Sequence, residues 1–156
     1  MIDNNYIRLN RIIAVLIFIV TFIVYFDTMA PTVSYWDCGE FIAVSHTLGV
    51  PHPPGSPFFL LMGRIFSMLP FNDDIAFRVN IISPLVSSLA VMLLYLSTVK
   101  VITHWRGRVN NITDVMIVFG GGAVGALTFA FTDSHWFNAV EAEVYAFSTF
   151  FTAIVV

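Results

Sequence analysis

The chain has 156 residues, of which 58% are hydrophobic and only 11% charged, with 16 phenylalanines and a mean hydropathy of +0.84. That composition excludes an ordinary water-soluble domain and makes a lipid bilayer the expected solvent. The single cysteine, Cys38, excludes an internal disulfide and a thiolate cluster for a structural metal, and the net charge of −3 matters less than where the charges lie.

The first predicted element is a membrane span over about 12–30. From Ile12 to Phe26 every residue but Thr21 is apolar or aromatic, and Thr28, Met29 and Ala30 bring the run near the roughly 20 residues a spanning helix needs. Arg8 and Arg11 ahead of it resemble the start of a secretory signal, but the small-residue site Thr28-Met29-Ala30 is followed by Pro31, which disfavours cleavage, so an uncleaved anchor is expected.

A loop over about 31–76 follows, opening on Trp36-Asp37-Cys38-Gly39-Glu40-Phe41. Asp37 and Glu40, at i and i+3, share one face of a helix. Asp37 lies soon after the first span, where it can meet a substrate whose head group stays at the interface while its tail stays in lipid, and there it is suited to act as a general base. The alternative is that Asp37 caps a helix beginning near Cys38 and that Glu40 is merely solvated. In His52-Pro53-Pro54-Gly55-Ser56-Pro57 the prolines fix φ and restrict the residues before them, while Gly55 frees the backbone, which gives a rigid, sharply shaped loop. His52 on that loop can donate to a phosphate, orient a carboxylate, or simply bond to backbone.

Phe58 to Leu69 is apolar on most sides, short for a span, and carries Arg64, so it is expected to be an interfacial or partly re-entrant helix. As a true span it would hold Arg64 at membrane depth, at a cost of about 2.5–3.5 kcal/mol, and would invert everything after it. The guanidinium groups of Arg64 and Arg78 suit a lipid phosphate, or can pair with Asp73, Asp74 or a lipid head group.

A second span is predicted over about 77–99 and a third over about 112–132, since neither Ile81 to Val99 nor Val115 to Thr132 contains a charge. In the third, Gly121 and Gly125 form a small-xxx-small pair that suits close helix approach. The glycosylation sequon Asn111-Ile112-Thr113 falls in a loop placed on the cytoplasmic side, where it would not be used. A second outer loop, about 133–141, leads to Glu141-Ala142-Glu143-Val144-Tyr145 and a fourth apolar stretch over about 142–156, which is still running at Val156 and suggests the N-terminal module of a longer protein. Glu141 and Glu143 can jointly hold a hard divalent ion only if the backbone is extended, because helical positions two apart diverge by roughly 200°. Acids at a helix N-terminus are also favoured by the macrodipole alone, and Trp136 and Tyr145 fit an interfacial aromatic belt.

Five of the seven basic residues, Arg8, Arg11, Lys100, Arg106 and Arg108, lie in the N-terminal tail and in the loop between the second and third spans. The positive-inside rule makes both cytoplasmic. Asp37, Glu40, Asp73, Asp74, Asp133, Glu141 and Glu143 then face outward, with Asp27 at the boundary. The expected fold is therefore all-α: about four spans, a cytoplasmic N-terminus and an interfacial helix in the first outer loop.

The Asp-x-Gly-Glu element at Asp37 to Glu40, the His52-Pro53-Pro54-Gly55 loop and the Glu141 to Tyr145 segment, in this order after one span, resemble the bacterial membrane family of unknown function related to the transmembrane protein O-mannosyltransferases of animals. The resemblance covers nearly the whole chain. It implies a C-type membrane glycosyltransferase in the cytoplasmic (inner) membrane with its active face outward. The donor would be a polyprenyl-phosphate sugar, the acceptor a hydroxyl of an exported protein, and no nucleic acid is expected as a partner. Asp37 would be the catalytic base and Glu40 an acid supporting it or the substrate. His52, Arg64 and Arg78 are candidates for the departing phosphate, with a divalent metal ion held by Glu141 and Glu143 as another source of charge. A transporter segment and a non-catalytic scaffold are the alternatives, and the absence of ionisable residues inside the second and third spans weakens the first of them. The chain alone is expected to be catalytically silent.

Overall fold

The computed structural model describes residues 4–107, 109 and 111–155. Arg108, assigned above to the cytoplasmic loop, and Val156, the end of the fourth apolar stretch, lie outside the described residues. Among the described residues the fold is all-helical: α1 (Asn4–Thr28), α2 (Cys38–Thr47), α3 (Pro57–Met68), α4 (Ile75–Asn80), α5 (Ile82–Arg106), α6 (Ile112–Val115), a π-helical turn (Met116–Gly120), α7 (Gly121–Ala130), α8 (Asp133–Ala139) and α9 (Tyr145–Val155).

Three helical stretches are long and apolar enough to cross a membrane: Asn5–Thr28 in α1, Ile75–Arg106 through α4 and α5, and Ile112–Ala130 through α6 and α7. The second runs on past Val99 to Arg106, because no helix breaker stands before Gly107, which ends it at φ 92°. At 11 and 12 residues, α9 and α3 are shorter than a span.

On α1 the buried side chains Ala14, Ile17, Thr21 and Tyr25 recur at helical spacing, while Ile12, Val15, Leu16, Ile19, Val20 and Ile23 point outward. Thr21 satisfies its own hydroxyl on the Ile17 carbonyl at 2.8 Å, so it can lie in an apolar seam without an orphaned donor. The central helix is α5, against which α1, α7, α8 and α9 all pack. The Tyr95 hydroxyl, midway along α5, reaches Asn10 near the start of α1 at 2.8 Å, while Asn80 just before α5 reaches the Ala30 carbonyl just past α1, so the two run antiparallel. The Tyr25 hydroxyl bonds the Ala130 carbonyl at 2.7 Å, which brings the ends of α1 and α7 together.

The close approach of α7 to α5 falls on Gly122 rather than on the predicted Gly121 and Gly125 pair. A Cβ on Gly122 would meet Val99 at 2.8 Å, and Ala126 and Ala130 continue the same buried face, whereas a Cβ on Gly125 would meet nothing within 4 Å. The sequence presents two interleaved small-residue registers, and only packing chooses between them.

At the opposite end of the bundle, α2 and α3 form a hairpin lying over α4. Phe41, Phe59, Leu60, Val79, Ile82 and Phe147 form its core, and Phe58 packs edge-on to Phe147 at 5.0 Å. Arg64, which made this segment ambiguous, donates to the His46 carbonyl at the end of α2. Asn111, the acceptor of the apparent sequon, caps α6 instead, its side chain accepting from Asp114 N at 2.9 Å. Arg8, Arg11, Lys100 and Arg106 thus gather at one end of the bundle. The acid-rich loops gather at the other.

Candidate active site

The segment between α1 and α2 has no regular structure of its own and is pinned from two sides. The Asn80 amide, fully buried at the end of α4, donates to the carbonyls of Ala30 and Thr32, both at 2.9 Å. Ala30 N in turn donates to the Val140 carbonyl at 2.9 Å, joining the first acid-rich loop to the second. Asp74 caps α4 by accepting from Ala76 N at 2.7 Å, and the Thr32 hydroxyl beside it, with that cap, holds its carboxyl below the usual range. Sequence reasoning missed Asn80. Its signal was an amide where an apolar span begins.

These anchors deliver Trp36 and Asp37 to the mouth of a cleft. Trp36 has φ 59°, a left-handed conformation costing a bulky residue about 1–3 kcal/mol. Asp37 occupies the N-cap position of α2, and its carbonyl accepts from Phe41 N at 2.9 Å, but its side chain makes no capping hydrogen bond. The capping alternative is therefore not realised by the carboxylate, which is 59% exposed and free to face the cleft.

Glu40, one turn on, grips His52 with both oxygens, accepting from the backbone N at 2.8 Å and meeting ring Nδ1 at 2.6 Å. The loop brings His52 there through a turn in which Gly55 N donates to the His52 carbonyl at 3.0 Å, with a cis Pro53–Pro54 bond and Gly55 at φ 82°. The other ring nitrogen, Nε2, lies 3.9 Å from Asp37 Oδ2. One imidazole therefore stands between two carboxylates, oriented by Glu40 and aimed toward Asp37. The hydrogen bond to Glu40 raises the pKa of His52, and the same bond lowers that of Glu40, so each stabilises the other's charge.

Behind this row Cys38 is fully buried, and its thiol donates to Glu141 at 3.1 Å and, more weakly, to Glu143 at 3.7 Å. Burial first, then the neighbouring carboxylates, push the thiol pKa up, so Cys38 remains a donor and not a nucleophile. The backbone between α8 and α9 is non-helical, with Glu143 N donating to the Glu141 carbonyl at 2.9 Å, which is why both side chains can turn to one place. Burial also raises the pKa of Glu143.

The cleft has a volume of about 500 Å³ and is lined by Trp36, Asp37, Phe41, His52, the Pro54–Ser56 turn, Phe137, Asn138, Glu143 and Tyr145. Of the residues expected at a site, the fold brings Asp37, Glu40, His52, Glu141 and Glu143 together. Arg64 and Arg78 do not line the cleft. The Arg78 guanidinium donates to the carbonyls of Ser67 (2.7 Å), Leu69 (3.2 Å) and Asp73 (3.4 Å), clamping the turn between α3 and α4.

The fold and cleft define a class: a polytopic helical membrane protein with a carboxylate–imidazole site at the acidic end of its bundle. Residues 37–156 match the family model described as the protein O-mannosyl-transferase TMEM260 N-terminal domain, and the chain belongs to that family. It is 34% identical over 143 residues to protein O-mannosyl-transferase tmem260 of Dictyostelium discoideum, covering 90% of this chain and 16% of that one. It is 30% identical over 120 residues to protein O-mannosyl-transferase TMEM260 of Mus musculus, covering 76% of this chain and 15% of the relative. The chain thus spans only a small part of the length of these relatives. No solved structure matches it.

Proposed function

We propose that the cleft is the outer-face reaction site of a C-type membrane glycosyltransferase, which moves a sugar, mannose by analogy with its relatives, from a polyprenyl-phosphate donor to a Ser or Thr hydroxyl of an exported protein. The observation that carries this reading is the Asp37 carboxylate, uncommitted to its helix cap and faced by an imidazole that Glu40 orients. In this scheme Asp37 takes the proton of the acceptor hydroxyl as its oxygen attacks the anomeric carbon. The bond from that carbon to the phosphate oxygen breaks, and the lipid phosphate leaves with the electron pair. His52, oriented by Glu40 and facing Asp37, offers positive charge to the departing phosphate when protonated. Arg64 and Arg78 would have to release backbone carbonyls to share that task.

A divalent cation fits two oxygen-rich places: Glu141 with Glu143, or Asp37, Glu40 and His52, whose candidate ligand atoms lie within 4.8 Å of one another. Such an ion would supply further charge beside the phosphate. We place the basic end of the bundle in the cytoplasm and the cleft outside the cytoplasmic membrane, in keeping with the positive-inside rule. The remainder of the protein is assigned the task of enclosing the lipid donor, so the chain alone is expected to transfer no sugar.

The test is transfer of radiolabelled mannose from its polyprenyl phosphate to exported protein by membranes carrying the full-length protein, with Asp37→Asn compared at matched expression. A fall of about 100-fold or more is expected for loss of a general base. Undiminished transfer in the variant would remove Asp37 from the chemistry. No transfer in the wild type would favour a transporter or scaffold.

A further inference from the structure

The cleft has a second wall that the acid–base chemistry does not use. Trp36 is one of three tryptophans in the protein, it is 83% exposed and, among the described residues, no ring packs on it. Its backbone is held left-handed next to Asp37. Exposure alone would suit an interfacial tryptophan such as Trp105, but Trp36 is also held at a strained φ in the lining of the cleft, and a role there accounts for both features. The same cleft is lined by Phe137 and Tyr145, 50% and 58% exposed, and by Asn138, whose amide nitrogen is tied to the Ser134 carbonyl at 2.7 Å and whose oxygen has no hydrogen-bond partner among the described residues. A cleft lined by aromatic rings, an amide and carboxylates matches the chemistry of a pyranose, which has apolar C–H faces and a rim of hydroxyls.

We propose that Trp36 is the platform on which the transferred hexose ring stacks, presenting its anomeric carbon to Asp37. The proposal rests on the glycosyltransferase reading above and adds to it the residue that seats the sugar. Because Trp36 and Asp37 line the same cleft, the ring lying on Trp36 is assigned as the one being transferred and not a more distant part of the acceptor.

The test uses membranes carrying the full-length protein, with polyprenyl-phosphate mannose as the varied substrate. Trp36→Gly removes the ring and also relieves the left-handed backbone, so its Tm should not fall. Its donor KM should rise about three- to tenfold, the worth of one aromatic stacking contact. Trp36→Phe should lie between it and wild type, and the acceptor KM should not change. Trp105→Ala is the control for an interfacial tryptophan, since Trp105 is 86% exposed at the other end of the bundle. It should leave the donor KM unaltered. An unchanged donor KM in Trp36→Gly, with transfer still abolished by Asp37→Asn, overturns the platform and leaves the glycosyltransferase reading standing. If wild-type membranes transfer no mannose, the glycosyltransferase reading fails, and tryptophan fluorescence of the purified protein titrated with methyl α-mannoside decides the subsite alone. A change lost in Trp36→Phe but kept in Trp105→Phe supports it, and no change overturns it.

Discussion

Glu40 and His52 form the most tightly specified contact of the site, and its consequences are electrostatic. His52 has a raised pKa, so its contribution is full below the ordinary value of 6.5 and fades only as pH rises through the raised one. Glu40 has a lowered pKa, so its contribution is present above the ordinary 4.5 and fades as pH falls through the lowered one. The charged pair therefore holds between the lowered Glu40 pKa and the raised His52 pKa, a wider window than the two free groups would give. Glu40→Gln should return the His52 titration, followed by NMR, toward 6.5; an unmoved titration would show that Glu40 does not hold the ring. His135 has the opposite setting. It is buried against Phe129 at 4.4 Å, and burial lowers its pKa to about 4. The unfolded chain binds that proton first, so stability should fall as pH drops from 6.5 toward 4, by up to about 3 kcal/mol. Thermal unfolding of His135→Phe in detergent should lose most of that acid sensitivity.

Among the elements, the α2–α3 hairpin decides whether the first loop can form a site at all. A Cβ on Gly63 would lie 2.4 Å from Ser45 Oγ and 2.7 Å from Ser45 Cβ, so the two helices touch backbone to side chain. Gly63→Ala should cost about 1–3 kcal/mol of overpacking, and Gly63→Ala with Ser45→Gly should recover much of it. Recovery that fails to appear in thermal unfolding would mean that the crossing is not the constraint. The hairpin also explains why Phe58 to Leu69 resisted assignment from sequence. Its apolar residues answer to α2, α4 and α9 rather than to lipid alone, and Arg64 finds its partner in a carbonyl that no local pattern announces.

The charge segregation along the bundle is a property of the whole molecule, and so is the orientation proposed from it. Cys38 is buried and protonated, so the native chain should not react with a membrane-impermeant maleimide in intact cells. Against that silent background Ser134→Cys, exposed at the acidic end, should label from outside, while His104→Cys, exposed at the basic end, should label only after the membrane is opened. The reverse pattern would turn the molecule over and put the cleft in the cytoplasm. Membrane character and three of the four expected spans were legible in the sequence, because hydrophobic run length is a local property that the bilayer reads directly, while the fourth stretch forms only the 11 residues of α9 among the described residues. Asp37, Glu40 and His52 were legible as candidates, because acids and a proline-bound histidine stand out in an apolar chain. Their geometry was not. Asp37 left its cap unmade, Glu141 and Glu143 met at Cys38, Arg78 turned to backbone, and the close packing of α7 moved to Gly122, since each outcome depends on contacts between segments far apart in the chain. Sequence by itself determined which residues must leave water and which end of the bundle carries which charge. Only the tertiary structure decided which polar groups find partners and which stay free, because a buried donor or acceptor is satisfied by whatever the fold brings within reach.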